Sequence, residues 1–337
     1  MKNSLVLALA AAAALVTARP VAAQLLINGA GATFPAPIYQ RWFDDFTKVD
    51  PSVRINYQAI GSGAGLKQIL SETVDFGASD DPVKDSDLAS APRELLQIPT
   101  VAGAIVLCYN LSGNPALKLD GPTIAGIYLG KITKWNDPAI AAQNPGVSLP
   151  GDDILVVYRT DGSGTTANFT RYLCEISPEW KSSVGTGKSV RWPTGLGGKG
   201  NQGVAGQIKQ SPGAIGYVEL AYAKQNEMPY ADVKNAAGNY ITPSIDSVKA
   251  AFSSARVDDK FRFSMINGSG AQAYPIASST WLLLYAQQKD PAKGKALVEF
   301  LKWAYTTGEK SAPELDYAPL PEELVQRALG VVNQIKY

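Results

Sequence analysis

The stretch Arg159–Thr166, RTDGSGTT, constrains this chain more than any other. An apolar run, Ile154-Leu155-Val156-Val157-Tyr158, precedes it and predicts a buried strand. Behind it, Phe169, Tyr172, Leu173 and Ile176 fall at i, i+3, i+4 and i+7, the stripe of an amphipathic helix. The motif is therefore a strand–turn–helix junction, with Gly162 and Gly164 supplying a permissive backbone. Free N–H groups at a helix start, small hydroxyls and an arginine at a strand end together suit an oxyanion. A plainer reading stays open at this motif alone: a helix cap beside a structural Arg159–Asp161 ion pair.

The junction recurs. Leu25-Leu26-Ile27 predicts a strand, Gly29–Pro35 a glycine-rich turn, and Tyr39, Trp42, Phe43 and Phe46 a helix with Pro35 and Pro37 in its first turn. Val53, Ile55 and Tyr57 alternate as a strand, and Gly61-Ser62-Gly63-Ala64-Gly65 leads into a helix carrying Leu66, Ile69, Leu70 and Thr73. An N-cap is the plain alternative for Ser62. The short strand of Asp75–Pro82 ends in Asp80 and Asp81, for which cap or turn roles are the alternative.

Two long apolar segments, Thr100–Tyr109 and Tyr274–Tyr285, are the natural crossings of a two-domain chain. Between them lie a helix at Ile124–Tyr128, the strand at Ile154–Tyr158 and another at Ile215–Leu220. A helix carrying Leu297, Phe300, Leu301 and Ala304 and a short one at Pro321–Leu329 follow. This alternation predicts an α/β protein with open, mainly parallel sheets and helices on both faces. The glycine-dense stretch Val184–Val204 carries Lys188, Arg191 and Lys199 but no Walker pattern. It reads as a turn-rich connection ending in a helix capped near Asn201, with a place at the mouth of a cleft as the alternative.

Lys2, the apolar Leu5–Val16 and the small residues Val21-Ala22-Ala23 predict a cleavable export signal at residues 1–23. The apolar run is short for a membrane span, and no cysteine follows it to carry a lipid. Removing it takes out Lys2 and Arg19 but no acid, so the 31 basic residues fall to 29 against 30 acidic. Near-neutrality argues against nucleic acid as the main partner, and an anion would have to be held by local dipoles and one or two cations. Cys108 and Cys174 each lie in an apolar stretch, leaving a disulfide and two free thiols equally open. The chain has no histidine, which removes Ser-His and Cys-His catalysis and histidine-bearing zinc sites. Neither a metal nor a cofactor is called for.

Five motifs in order, GAGATFPAP at Gly29–Pro37, TVDFGASD at Thr73–Asp80, RTDGSGT at Arg159–Thr165, GLGGKGN at Gly195–Asn201 and PGAIGYVE at Pro212–Glu219, carry a family resemblance. The chain resembles the periplasmic phosphate-binding protein of the bacterial high-affinity phosphate ABC transporter over essentially its whole length after the signal. The resemblance implies a two-lobed type II periplasmic-binding-protein fold with the ligand in the cleft between lobes. The lobes are expected at 24–102 plus 275–337 and at 103–274. It implies a periplasmic, non-enzymatic monomer that binds inorganic phosphate and delivers it to the permease subunits of an ABC transporter. The implied ligand set is Thr33 and the backbone of Phe34, Ser62, Asp80, and then Arg159, Asp161, Ser163, Gly164 and Thr165. Where the family often has a second serine after Ser62, this chain has Gly63, which can offer only its N–H.

Within that set Arg159 is a two-pronged donor and Asp161 its orienter. Asp80 implies a ligand that brings a proton, as phosphate does near neutral pH and sulfate does not. Arsenate, protonated like phosphate, satisfies the same condition. An exported phosphoester hydrolase with Ser163 as nucleophile is the reading of a different class, and it needs a base or metal beside the serine.

Overall fold

A computed structural model gives the fold and describes residues 24–337; the expected export signal, residues 1–23, lies outside the described residues. The first apolar runs form strands β1 (Leu25–Gly31), β2 (Val53–Ala59) and β3 (Phe76–Ser79), with helices α1 (Ala36–Val49) and α2 (Ser62–Leu70) between them. β1 pairs in parallel with both β2 and β3, which a helical crossover permits and a hairpin does not. The aromatic stripe of α1 is core: Phe43 packs on Phe76 and Phe300 at centroid distances of 6.0 and 5.2 Å. After α3 (Asp85–Ser90) comes β4 (Leu95–Tyr109), the longest strand at 15 residues.

The middle of the chain supplies β5 (Lys118–Leu119), α4 (Gly121–Tyr128), α5 (Pro138–Ala141), β6 (Leu155–Arg159), α6 (Gly164–Ile176) and α7 (Pro178–Ser183). It continues through β7 (Leu196–Gly198), α8 (Gly200–Gln210), β8 (Ala214–Glu219), α9 (Leu220–Gln225), β9 (Asp232–Lys234), β10 (Tyr240–Ile241) and α10 (Ile245–Phe252). The return runs through β11 (Met265–Ile266), β12 (Ile276–Tyr285), α11 (Pro291–Thr306) and α12 (Glu322–Val332).

The main sheet runs β2-β1-β3-β12-β4-β8-β6-β7, with β11 paired to β12. β4 is shared between two halves: Leu95–Ala104 pairs with β12 and Ile105–Tyr109 with β8, both antiparallel. Pairing is parallel in each flank, β1 with β2 and β3, and β6 with β7 and β8. The antiparallel seam arises because β4 carries the chain out of the first half and β12 brings it back. Both segments expected to cross are thus buried strands. One stretch from the middle of the chain reaches the first half. Phe261 accepts the indole N–H of Trp281 through its carbonyl, 2.8 Å away, and Arg262 pairs with Asp85 at 2.9 Å. Cys108 and Cys174 are both free thiols.

Candidate functional site

Four helix starts meet where the halves touch. At α2 the N-cap is Gly61, whose φ of 98° suits glycine. Ser62 is therefore the first helical residue and not the cap, which frees its hydroxyl oxygen to accept the N–H of Asp80 at 3.2 Å and that of Gly164 at 3.1 Å. The second contact joins the two halves. So does the Gly63 N–H, which donates to the Gly162 carbonyl at 2.8 Å. The serine missing from this position leaves an N–H that fastens one half to the other.

At α6, Ser163 is the N-cap: its Oγ accepts the Thr166 N–H at 3.0 Å, while its own N–H goes to the Lys188 carbonyl at 2.8 Å. Arg159, at the end of β6, is held by Asp161 through Nε to Oδ1 at 2.8 Å and Nη2 to Oδ2 at 2.5 Å. Burial pushes the Asp161 carboxyl up, but the hydrogen bonds and charge of Arg159 outweigh it and hold the group below the usual carboxylate range. The Gly200 N–H, at the start of α8, also donates to Asp161 Oδ1 at 2.9 Å. Asp161 thus holds the Arg159 guanidinium through two hydrogen bonds.

The loop before α1 is fixed through its oxygens. Thr33 Oγ1 accepts the backbone N–H of Asn201 at 3.1 Å and its side-chain Nδ2 at 2.9 Å. The Thr33 and Phe34 carbonyls accept from the hydroxyls of Tyr222 and Tyr317, each at 2.6 Å. That leaves the Thr33 and Phe34 N–H groups as main-chain donors this loop can offer. Thr165 Oγ1 lies 3.4 Å from both Arg159 Nη1 and Asn201 Nδ2. All nine residues named from sequence therefore fall in one connected cluster, buried except for the half-buried Asp161.

The cluster has a consistent polarity. Thr33, Ser163 and Thr165 each have oxygen lone pairs engaged by N–H donors, so each must aim its own hydrogen elsewhere, while Ser62, whose oxygen takes two N–H groups, turns its hydrogen toward Asp80 Oδ2 at 3.4 Å. With the Arg159 guanidinium, this makes a pocket of donors. Asp80 is the exception: only 1% exposed, it lies with Oδ2 3.4 Å from Ser62 Oγ and Oδ1 2.9 Å from Thr280 Oγ1. Burial raises its carboxyl to about 7, against the opposing pull of the Thr280 hydrogen bond, the Arg159 charge and the Ser62 hydroxyl. Neither a cap nor a turn role describes it.

Sequence reasoning missed three partners. The helix is expected to be capped near Asn201, yet α8 begins at Gly200 after Lys199 with no side-chain cap. The Asn201 amide instead ties Thr33 to Thr165, oriented by accepting the Glu219 N–H at 3.0 Å; the signal was a carboxamide straight after a glycine-rich turn. Asn168 donates to the Asp80 carbonyl at 2.6 Å. Thr280 sits in a strand, and its signal was the hydroxyl run Ser278-Ser279-Thr280 inside an otherwise apolar segment. The glycine-dense stretch does reach the cleft mouth, where Lys188 Nζ and Arg171 Nη2 lie 3.6 and 2.7 Å from the Asp81 carboxylate.

Comparison with known proteins agrees with this architecture. Residues 15–307 match the family model described as PBP superfamily domain. Among solved structures, a high affinity periplasmic phosphate-binding protein, PfluDING, bound with phosphate superposes with a TM-score of 0.72 at 21% identity, covering 93% of this chain and 99% of that one. An ABC-type phosphate transport receptor from Vibrio cholerae superposes at 0.57 and 18% identity, covering 88% and 100%. These likenesses establish the two-lobed α/β binding-protein fold. The phosphate-binding protein PstS of Pasteurella multocida is 48% identical over 305 residues, 89% of this chain and 88% of that protein. With identity at that level over nearly all of both sequences, the chain belongs to the PstS family of phosphate-binding proteins within the PBP superfamily.

Proposed function

We propose that this protein binds inorganic phosphate in the periplasm and hands it to the permease of an ABC-type importer. The observation that carries the reading is the polarity of the buried cluster: donors from both halves, and Asp80 as a carboxylate among them that is not spent on Arg159 as Asp161 is. An anion with no proton meets Asp80 charge against charge; one that keeps a proton can donate it there. Thr33, the Phe34 N–H, Ser62, Ser163, Gly164, Thr165 and Arg159 are the donors of this binding set, with Asp161 fixing Arg159 and Asp80 accepting. The proposed lobes are 24–102 plus 275–337 and 103–274, so that Thr33, Phe34, Ser62 and Asp80 come from one and the rest from the other. Arsenate fits the same pattern and is the expected competitor.

The role is binding without catalysis. A hydrolase needs a base or a metal at its nucleophile, whereas the Ser163 oxygen is spent on a helix cap, and no carboxylate bonds to it among the described residues. The names of the relatives and the structural neighbours, which speak of phosphate binding and of ABC-type transport, favour the same role. Native mass spectrometry of the protein as purified tests the reading. One phosphate per chain is the expected result; a protein that takes up none after incubation with phosphate contradicts it.

A further inference from the structure

We propose that Thr280 is a positioning residue for phosphate selectivity: it fixes the Asp80 carboxylate so that one oxygen remains directed at the ligand's proton. The inference rests on the phosphate reading above and names a residue outside the ligand set.

The sheet itself delivers Thr280 to this place. In the β12–β3 pairing, Trp281 lies opposite Ser79, so the antiparallel register sets Thr280 beside Asp80. In the β12–β4 pairing the register slips between Thr280 and Trp281, which face Val101 and Pro99 and leave Thr100 as the extra residue. Such an irregularity re-aims side chains locally. Here the Thr100 hydroxyl turns to the Thr280 carbonyl at 3.4 Å and meets the Tyr39 hydroxyl at 2.7 Å. Thr280 is fully buried and its rotation is held by the strand on either side. Its single hydroxyl hydrogen has Asp80 Oδ1 at 2.9 Å, against 3.4 Å to the Ser79 carbonyl. Thr280 therefore occupies Oδ1. The other oxygen, Oδ2, has only the longer contact of 3.4 Å from Ser62 Oγ, the same oxygen that takes the Gly164 N–H at the start of α6.

The charged groups around Asp80 are Arg159, which favours its ionised form, and Asp81, which opposes it. Glu219 and the phenols of Tyr39, Tyr57, Tyr222 and Tyr317 also face it, each with its ionisation suppressed by burial. Among these neighbours Thr280 supplies the shortest hydrogen bond to the carboxylate itself. Removing it makes the ionised form harder to hold, so Asp80 keeps its proton to higher pH and presents a donor where phosphate needs an acceptor.

The test is Thr280→Val, which keeps the shape and removes the hydroxyl, with Thr280→Ser as the conservative control. Sulfate is the probe, because it carries no titratable proton from mildly acidic to mildly alkaline pH and its affinity profile reports the protein alone. In the native protein, sulfate competition should fade as pH rises through the ionisation of Asp80. In Thr280→Val the fade should move to higher pH. The phosphate-to-sulfate ratio at neutral pH should drop about tenfold, the factor that one unit of carboxyl proton affinity carries. Thr280→Ser should restore both. A folded Thr280→Val protein with an unchanged ratio and unchanged sulfate profile overturns the proposal while leaving phosphate binding intact. Failure of the native protein to bind phosphate overturns the underlying reading instead.

Discussion

An acid among anion donors is costly unless it does something the donors cannot, and Asp80 is where that cost shows. Its carboxyl is raised from 3.8 to about 7 by burial, so the folded protein holds this proton more tightly than the unfolded chain. The stability it contributes is present below about 4 and is lost as pH rises through about 7. Asp80→Asn should remove that loss. Melting measurements without phosphate should show the variant gaining on the native protein across this window, by up to ~4 kcal/mol for a change of this size. The same variant should raise sulfate affinity relative to phosphate in competition titrations; an unchanged ratio would reduce Asp80 to a structural role. Arg159→Ala should cost phosphate affinity two decades or more, since breaking a buried, hydrogen-bonded pair costs about 3–5 kcal/mol, and near-native affinity by calorimetry would remove it from the site. Arg159 stood out through the chemistry of its own motif, whereas Asp80 entered through the family resemblance, its local sequence leaving cap and turn roles open. Thr280 and Asn201 were not legible, because what they do depends on register and on contact between halves, which no local pattern encodes.

Elements explain how so many donors can crowd one point. Helix starts offer N–H groups with no partner in their own helix, and the short glycine turns before α2 and α6 let them approach closely. Gly164 marks the limit: a Cβ there would lie 2.6 Å from Ser62 Oγ and 2.8 Å from the Asp80 N. Gly164→Ala should therefore hold the halves apart, costing about 1–3 kcal/mol in the closed state as overpacking does, or roughly ten- to hundredfold in phosphate affinity. Because the clash lies between halves, the open form should melt nearly as the native protein does without ligand; an equal loss of stability and affinity would contradict this. Strands β1, β2, β3, β6 and β8 and helices α1, α2 and α6 were legible from local pattern, and β4 and β12 from their apolar length, whereas β7 lay hidden in the glycine-dense stretch read as a turn-rich connection. That β4 belongs to two pairings at once, and that Thr100 is an extra residue in it, was not legible: both depend on what lies beside the strand.

At the scale of the molecule, contacts between the halves hold the structure closed. They are the Ser62–Gly164 and Gly63–Gly162 bonds, the Asn201–Thr33 pair, and ion pairs at the rim such as Arg171–Asp81 and Lys224–Asp316. The rim pairs are partly exposed and contribute at most about 1 kcal/mol each, so an anion bridging both sets of donors must supply most of the closing energy. Hinges within Thr100–Tyr109 and Gly270–Thr280 should then let the lobes part when ligand is stripped. Solution scattering should give a smaller radius of gyration with phosphate than without; identical curves would mean a rigid molecule. The central claim is that one protonated oxyanion is chosen by one carboxylate in a pocket of donors. Calorimetric titration of phosphate-free protein at neutral pH with phosphate, and separately with sulfate at the same concentrations, tests it most directly. Saturable binding of one phosphate per chain is expected, with sulfate binding distinctly more weakly; equal affinities for the two anions, or no phosphate binding at all, would contradict the claim.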